Sequence, residues 1–289
     1  MTTAPWDTTF IHTDLGDLAV HSIGEGRPVV AWHSMFVDSS SWSRLIPHIP
    51  DRRFFLIDAP SCGASDALAA PVSISDCARA AAQVVSALSA DFDGQPIDWL
   101  GNAWGGHVGM ELAATRPDLI HSLAAISAPT FPIGLALRLK VRLLLPLYRM
   151  AGPRGPVRSA IMSTILTDST RTSDAAAVAL IDECLARVGS DATITAIQSA
   201  ILDRTDLLWA ARVLRCPTLF VTTDDRGEWT PEQARAVVAQ MSCASEVTIT
   251  GARVIPALEQ PSQVATALNR FWSQPVTSTP ESTSETAAE

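Results

Sequence analysis

The sequence predicts an α/β fold, a mostly parallel sheet flanked by helices, with a helical cap inserted into it. Three observations support this prediction. Short apolar runs alternate with longer helical patterns over residues 1–126, and the alternation resumes after residue 211. Between these parts the strand pattern stops and the sequence is helical in character. Strands that alternate with helices are typical of parallel sheets with crossover helices.

The first part of the chain contains four predicted strands, which are short apolar runs over 9–13, 18–23, 28–33 and 54–58. A helix is predicted over 74–88, because its apolar residues recur at a spacing near 3.6. Ser73 or Ser75 is a suitable N-cap for it. A strand over 97–100, a helix over 105–115 and a strand over 119–126 follow.

The rest of the chain divides into the cap, the return of the sheet and a tail. Residues 127–211 are predicted to form the cap, so that the core comprises 1–126 and 212–273. The core resumes with a strand over 217–223, a helix over 231–241, a strand over 246–250 and a helix over 261–272. Residues 274–289 are rich in Ser, Thr, Glu and Pro, and we expect them to be disordered.

Charge and composition exclude several classes of protein. The net charge is −9, which argues against nucleic-acid binding. No 18 consecutive residues are apolar, so no membrane span is predicted. The basic, apolar stretch 135–150 fits a membrane-surface helix or a cap helix that covers a pocket, and we favour the cap helix. We therefore expect no membrane partner; the sequence leaves the oligomeric state open.

The cysteines and the N-terminal segment indicate where the protein resides. The five cysteines are widely spaced and contain no CxxC pair, which fits free thiols in a reducing cytosol better than disulfides or a zinc site. The opening MTTAPWDTTF has no apolar signal-peptide region. We therefore expect a cytoplasmic protein, and the sequence points to neither a metal nor a cofactor.

The segment LGNAWGGHVGM at 100–110 contains the most informative motif. Gly101, Gly105 and Gly106 occupy the positions expected of a nucleophile elbow of the G-x-S-x-G type. In such a turn a strand passes sharply into a helix and presents one side chain above the sheet. That central position is Ala103, whose methyl group cannot attack a carbonyl.

The order of elements resembles the α/β-hydrolase superfamily over roughly residues 8–273. Besides the elbow, three segments contribute to the resemblance: VVAWHSMFVDSSSW at 29–42, LIDAPSCGASD at 56–66 and ALEQP at 257–261. The resemblance implies that the backbone amides of Met35 and Trp104 form an oxyanion hole. Residues flanking this loop, His33, Ser34 and Phe36, are then candidates for substrate binding.

The same resemblance shows which catalytic groups are missing. The nucleophile position is Ala103 and the base position is Val254, and no histidine follows residue 121. The family's acid position falls on Arg226, with Asp224 or Asp225 available in a shifted register. Because two positions are substituted, a natural protein without a triad fits better than a serine hydrolase with its nucleophile replaced by alanine.

An oxyanion hole without a nucleophile can still stabilise an enolate, which suits proton exchange next to a carbonyl. The sequence therefore predicts a non-hydrolytic epimerase or isomerase of natural-product biosynthesis, acting on a small molecule or peptide. It is similar in kind to the bottromycin peptide epimerase family, which uses a carboxylate of its own substrate. Candidate protein bases are Asp224, Asp225, Glu228, His33 and His107, although packing roles are expected for both histidines. A ligand-binding protein without catalysis is the alternative.

Overall fold

The computed structural model describes residues 6–225 and 229–273 and contains an eight-stranded sheet in the order β1-β2-β4-β3-β5-β6-β7-β8. β1 and β2, and β2 and β4, pair antiparallel, and the remaining neighbours are parallel. This confirms the predicted fold class. The strands are β1 Asp7–Thr13, β2 Gly16–Ile23, β3 Arg27–Trp32, β4 Arg52–Ile57, β5 Ile97–Asn102, β6 Ile120–Ile126, β7 Thr218–Thr223 and β8 Ala244–Ile249.

The fully buried strands lie inside the sheet, where both of their faces are covered. Every residue of β5 and of β7 is buried, as expected of parallel strands between helical layers. β1 lies at an edge, and most of its side chains are exposed. The predicted strands all form, with boundaries shifted by a few residues; β4, for example, begins earlier, at Arg52.

Helices cover both faces of the sheet. α1 Ile74–Ala87 and α2 Trp104–Thr115 pack in the core of one face, and α11 Pro261–Trp272 packs in that of the other. The N-cap of α1 is Ser73, which forms a capping box with Asp76. The other core helices are α8 Leu208–Val213, α9 Pro231–Val238 and α10 Pro256–Glu259.

Five helices lie between β6 and α8, where the sequence predicts the cap. They are α3 Leu135–Ala151, α4 Gly155–Ile165, α5 Asp168–Ser173, α6 Ala175–Arg187 and α7 Ser190–Ile197. A π-helical turn, Gln198–Leu202, extends α7, and α8 packs on α2 of the core.

Polar contacts join these inserted helices to the core. Arg44 pairs with Asp174, with one N–O distance of 2.9 Å, and Arg187 pairs with the buried Asp38. Glu259 accepts a hydrogen bond of 2.8 Å from the Thr167 amide. The ion pairs fix both ends of α6 against the core.

Two further findings concern the membrane and the cysteines. No helix in residues 6–225 and 229–273 is long and apolar enough to cross a membrane. The five cysteines are free thiols, as predicted from their spacing. The tail 274–289, predicted to be disordered, lies outside the described residues.

Candidate active site

The turn between β5 and α2 has the geometry of a nucleophile elbow. Ala103 lies between the two elements with φ 47° and ψ −100°. Glycine is required beside it: a Cβ on Gly101 would lie 2.1 Å from the Gly105 carbonyl oxygen, and one on Gly105 would lie 1.9 Å from the Trp32 carbonyl oxygen. The small residues recognised in the sequence therefore allow β3, β5 and α2 to approach closely.

Backbone strain is concentrated around one cavity. Among the described residues, five other than glycine have positive φ, and three of these line the cavity: Phe36, Ala103 and Ser127. Such conformations cost about 1–3 kcal/mol each and occur often at functional sites, where the surrounding structure enforces them. The strain therefore marks the same location as the elbow motif.

The cavity has a volume of about 180 Å³ and lies between the elbow and the inserted helices. α3 and α4 supply about half of its apolar lining residues, including Val141, Leu145 and Ile161. The polar residues that line it, within the described chain, are Ser34, His107, Ser127, Lys140, Tyr148, Thr164, Arg204 and Thr223. No Asp or Glu of residues 6–225 and 229–273 is among the lining residues.

The predicted oxyanion residues lie together at this cavity. Met35 and Trp104 both line it, as do Ser34 and Phe36. Within the part of the chain that the structure describes, neither the Met35 nor the Trp104 amide donates a hydrogen bond to another protein atom. Both amides are therefore available to a ligand oxygen.

His33 does not line the cavity and is fully engaged beneath it. Its Nε2 accepts a hydrogen bond of 2.8 Å from the Ala59 amide, and its Nδ1 lies 2.7 Å from the Ser34 carbonyl oxygen. These contacts define the neutral tautomer with the proton on Nδ1. Burial lowers the pKa of His33, although Asp58 opposes this effect. His33 thus holds the oxyanion loop in place and has no free nitrogen to serve as a base.

The loop at the predicted base position connects the elbow, the core and α4. Val254 lines the cavity. Its amide donates to the Ile165 carbonyl at 3.3 Å, and its carbonyl accepts a hydrogen bond of 2.8 Å from Asn102. An aliphatic side chain therefore occupies the place from which a histidine would reach the elbow.

Asp224 and Asp225, the two predicted acidic residues after β7, are not among the described residues that line the cavity, whereas Thr223 at the end of β7 is. Asp224 is exposed and accepts a hydrogen bond of 2.8 Å from the Gly251 amide. Asp225 pairs with Arg253 at 2.9 Å. Both hold the neighbouring loop, so the structure does not bring them together with Ala103. Arg226 and Glu228 lie outside the described residues.

His107 lines the cavity but is a poor base. Burial and, to a smaller extent, the charge of Arg204 lower its pKa to about 3, while the Pro129 backbone acts in the opposite direction. The imidazole is therefore neutral at neutral pH, and its affinity for a proton is low.

Sequence reasoning missed Ser127, which follows β6 at the carboxyl edge of the sheet. Within the described residues, its hydroxyl is buried without a hydrogen-bond partner. Such a group costs about 1–3 kcal/mol. Its position directly after a strand could have identified it, because ligands of α/β sheets bind at the carboxyl ends of the strands. Ser127 therefore adds a hydroxyl able to donate a hydrogen bond to the cavity that the Met35 and Trp104 amides also reach.

Solved structures with the same fold cover almost the whole of this chain, although no curated protein matches it. An esterase from Thermogutta terrifontis is 19% identical with a TM-score of 0.80, covering 92% of this chain and 98% of its own. An enol-lactonase from Burkholderia xenovorans LB400 is 18% identical with a TM-score of 0.82, covering 92% and 100%. A bromoperoxidase from Bacillus anthracis is 15% identical with a TM-score of 0.80, covering 93% and 100%. Likeness at this level of identity concerns the fold.

The sequence itself decides the family. The family model described as the alpha/beta hydrolase family matches residues 20–267, which include β3, the elbow, the inserted helices and the loop of Val254. This chain belongs to the alpha/beta hydrolase family.

Proposed function

We propose that this protein is a non-hydrolytic enzyme that binds an apolar carbonyl compound and exchanges a proton next to the carbonyl, as an epimerase or isomerase does. The observation that supports this most directly is the apex of the elbow. Ala103 keeps the strained conformation and lines the cavity beside two unengaged amides, yet supplies no nucleophile. Amides arranged in this way can stabilise the oxyanion of an enolate as well as that of a tetrahedral intermediate.

The class of substrate follows from the cavity wall. Apolar side chains dominate it, and its described lining contains two cationic residues, Lys140 and Arg204, but no carboxylate. Many esters and lactones are apolar carbonyl compounds that suit such a wall. Two of the solved structures with the same fold are named an esterase and an enol-lactonase. We therefore propose an ester, lactone or peptide carbonyl with an acidic proton on the adjacent carbon.

Proton exchange also needs a base. Asp224 and Asp225 are engaged in the neighbouring loop, His33 is fully hydrogen-bonded, and His107 binds protons weakly. A carboxylate of the substrate itself is the base that fits this cavity best. It would enter as an anion, and the nearby cations favour an anion electrostatically.

The second candidate is a ligand-binding protein that has kept the cavity without catalysis. Its support is the absence of any carboxylate among the described lining residues, together with the low pKa of His107. Both candidates predict ligand binding without hydrolysis, and they differ only in whether the ligand exchanges a proton.

Two measurements test the proposal. The unmodified protein and Ala103→Ser are assayed with p-nitrophenyl acetate and p-nitrophenyl butyrate, where we expect no turnover above background, because Val254 cannot deprotonate a serine. Native mass spectrometry of the purified protein then identifies a retained ligand, which is incubated with the protein in deuterated buffer.

A gain of one mass unit per exchanged site without cleavage supports the enzyme, and Ala103→Phe should abolish it by filling the space beside the amides. Asp224→Asn and Asp225→Asn are the matched controls and should leave exchange unchanged. Tight binding without exchange favours the ligand-binding protein. Rapid ester hydrolysis by the unmodified protein would contradict both candidates.

A further inference from the structure

The helix α3 has two apolar faces, and only one of them is covered. Its inner face lines the cavity with Leu137, Val141, Leu144, Leu145 and Tyr148. This agrees with a cap helix that covers a pocket. The outer face is also apolar. The sequence pattern alone does not show which of the two faces packs over the cavity.

The outer face forms a continuous exposed stripe. Its five members recur every three or four residues, so they lie along one side of the helix. They are Leu135, Leu139, Leu143, Leu147 and Met150, with exposed fractions of 82%, 57%, 70%, 40% and 85%. These are five of the eight large hydrophobic residues exposed in the described chain. Such a patch marks an interaction surface when it is contiguous.

The charge of α3 is opposite to that of the chain. The segment 135–151 contains Arg138, Lys140, Arg142 and Arg149 but no acidic residue, in a protein of net charge −9. Arg149 pairs with Asp191 at 3.1 Å. Within residues 6–225 and 229–273, the other three form no ion pair. At 100° per residue, Arg138 and Arg142 lie along one side of the exposed stripe, and Lys140, which also lines the cavity, lies on the other.

We propose that this outer face of α3 docks the protein on an anionic lipid surface, which reverses the expectation of no membrane partner drawn from the sequence. An amphipathic helix with a cationic border and large apolar residues lies in the plane of a membrane interface, held by apolar burial and by attraction to anionic lipids. The absence of acidic residues on α3 favours this occupant. A second copy of the chain, meeting the first through the same face, would bring like charges together. The surface lies on the outer side of the cavity wall, and the inference does not depend on the proposed reaction.

The test is co-sedimentation of the full chain with vesicles. We expect binding to vesicles containing about one third phosphatidylglycerol in phosphatidylcholine, little binding to phosphatidylcholine alone, and weaker binding as salt rises from about 0.1 M to about 0.5 M. Each cation near an anionic surface strengthens binding about fivefold, so Arg138→Ala with Arg142→Ala should weaken it more than about tenfold. Leu139→Glu with Leu143→Glu should abolish it.

Matched controls separate docking from misfolding and from other partners. Phe10→Glu changes a residue of β1 that is 58% exposed and should bind vesicles like the unmodified protein. Circular dichroism and urea unfolding check that each variant folds; if the double glutamate variant does not, Leu139→Ser with Leu143→Ser replaces it.

Three outcomes would overturn the proposal. They are no binding to anionic vesicles, binding unchanged by the α3 variants, and a dimer in solution that the α3 variants dissolve. The last would assign the stripe to a second copy of the chain.

Discussion

Replacing Ala103 with glycine tests whether the elbow is held under strain without a nucleophile. With φ 47° and ψ −100°, the backbone of Ala103 has a conformation that residues other than glycine rarely adopt. That conformation costs about 1–3 kcal/mol. Glycine would remove most of this cost but would lose about 0.4–1 kcal/mol through the greater freedom of the unfolded chain. Ala103→Gly should therefore stabilise the protein by about 1 kcal/mol.

The assay is urea unfolding followed by circular dichroism, with the midpoint compared at an unchanged slope. One kcal/mol corresponds to a rise of about 2–4 °C in the melting temperature of a large domain. The matched control is Ala114→Gly, which makes the same chemical change within α2, where the backbone is helical. That change should cost about 1 kcal/mol. If both variants were destabilised equally, the strain at Ala103 would be absent and the elbow interpretation would lose its physical basis.

Three further predictions follow from the cavity. Ser127→Ala should stabilise the free protein by about 1 kcal/mol in urea unfolding, because it removes a buried hydroxyl without a partner. The same change should lower the affinity for a ligand that this hydroxyl contacts by about fivefold, measured by calorimetry. If Ser127→Ala were less stable than the unmodified protein, the hydroxyl would have a hydrogen-bond partner in the free protein. The pKa of His107 in the folded protein, about 3, lies below its value of about 6.5 in the unfolded chain. The unfolded chain therefore binds more protons as the pH falls. The contribution of neutral His107 to stability is present above about pH 6.5, and the free energy of unfolding should fall by about 2 kcal/mol by pH 5. In His107→Gln, the free energy of unfolding should depend less on pH over this range. An unchanged pH dependence would refute the low pKa of His107. Asp225→Asn should change stability by less than about 1 kcal/mol and leave ligand affinity unchanged, because its ion pair with Arg253 is partly exposed and lies outside the cavity.

Patterns that depend on the local chain predicted most of the fold. Strand positions follow from short apolar runs and helix positions from a period of 3.6 residues, and the elbow follows from the steric demand for glycine at positions 101 and 105. These constraints act over a few residues. The fold class, the order of strands along the chain and the place of Ala103 in a sharp turn were therefore accessible from the sequence.

Interactions between distant residues were not accessible in the same way. Nothing in the local sequence shows that Asp225 pairs with Arg253, 28 residues away, so its availability as a base could not be judged. The hydrogen bond that engages Nε2 of His33 comes from the amide of Ala59, 26 residues away at the end of a different strand. The exposure of one face of α3 depends on which side packs over the cavity, and an apolar helix of period 3.6 leaves that choice open.

The way α3 is held connects the cavity with the exposed stripe. In the described residues, the polar contacts from α3 to other elements go only to inserted helices, such as the pair of Arg149 with Asp191 on α7. α6 is joined to the core instead, through Arg44 with Asp174 and through Arg187 with Asp38. Displacing α3 from the cavity would therefore break apolar contacts and cap contacts without breaking an ion pair to the core. A lipid surface can replace apolar contacts but not buried ion pairs, because hydrocarbon offers no partner for a charge. An apolar surface could therefore replace the contacts of α3, which lies over the cavity, at lower cost than those of α6.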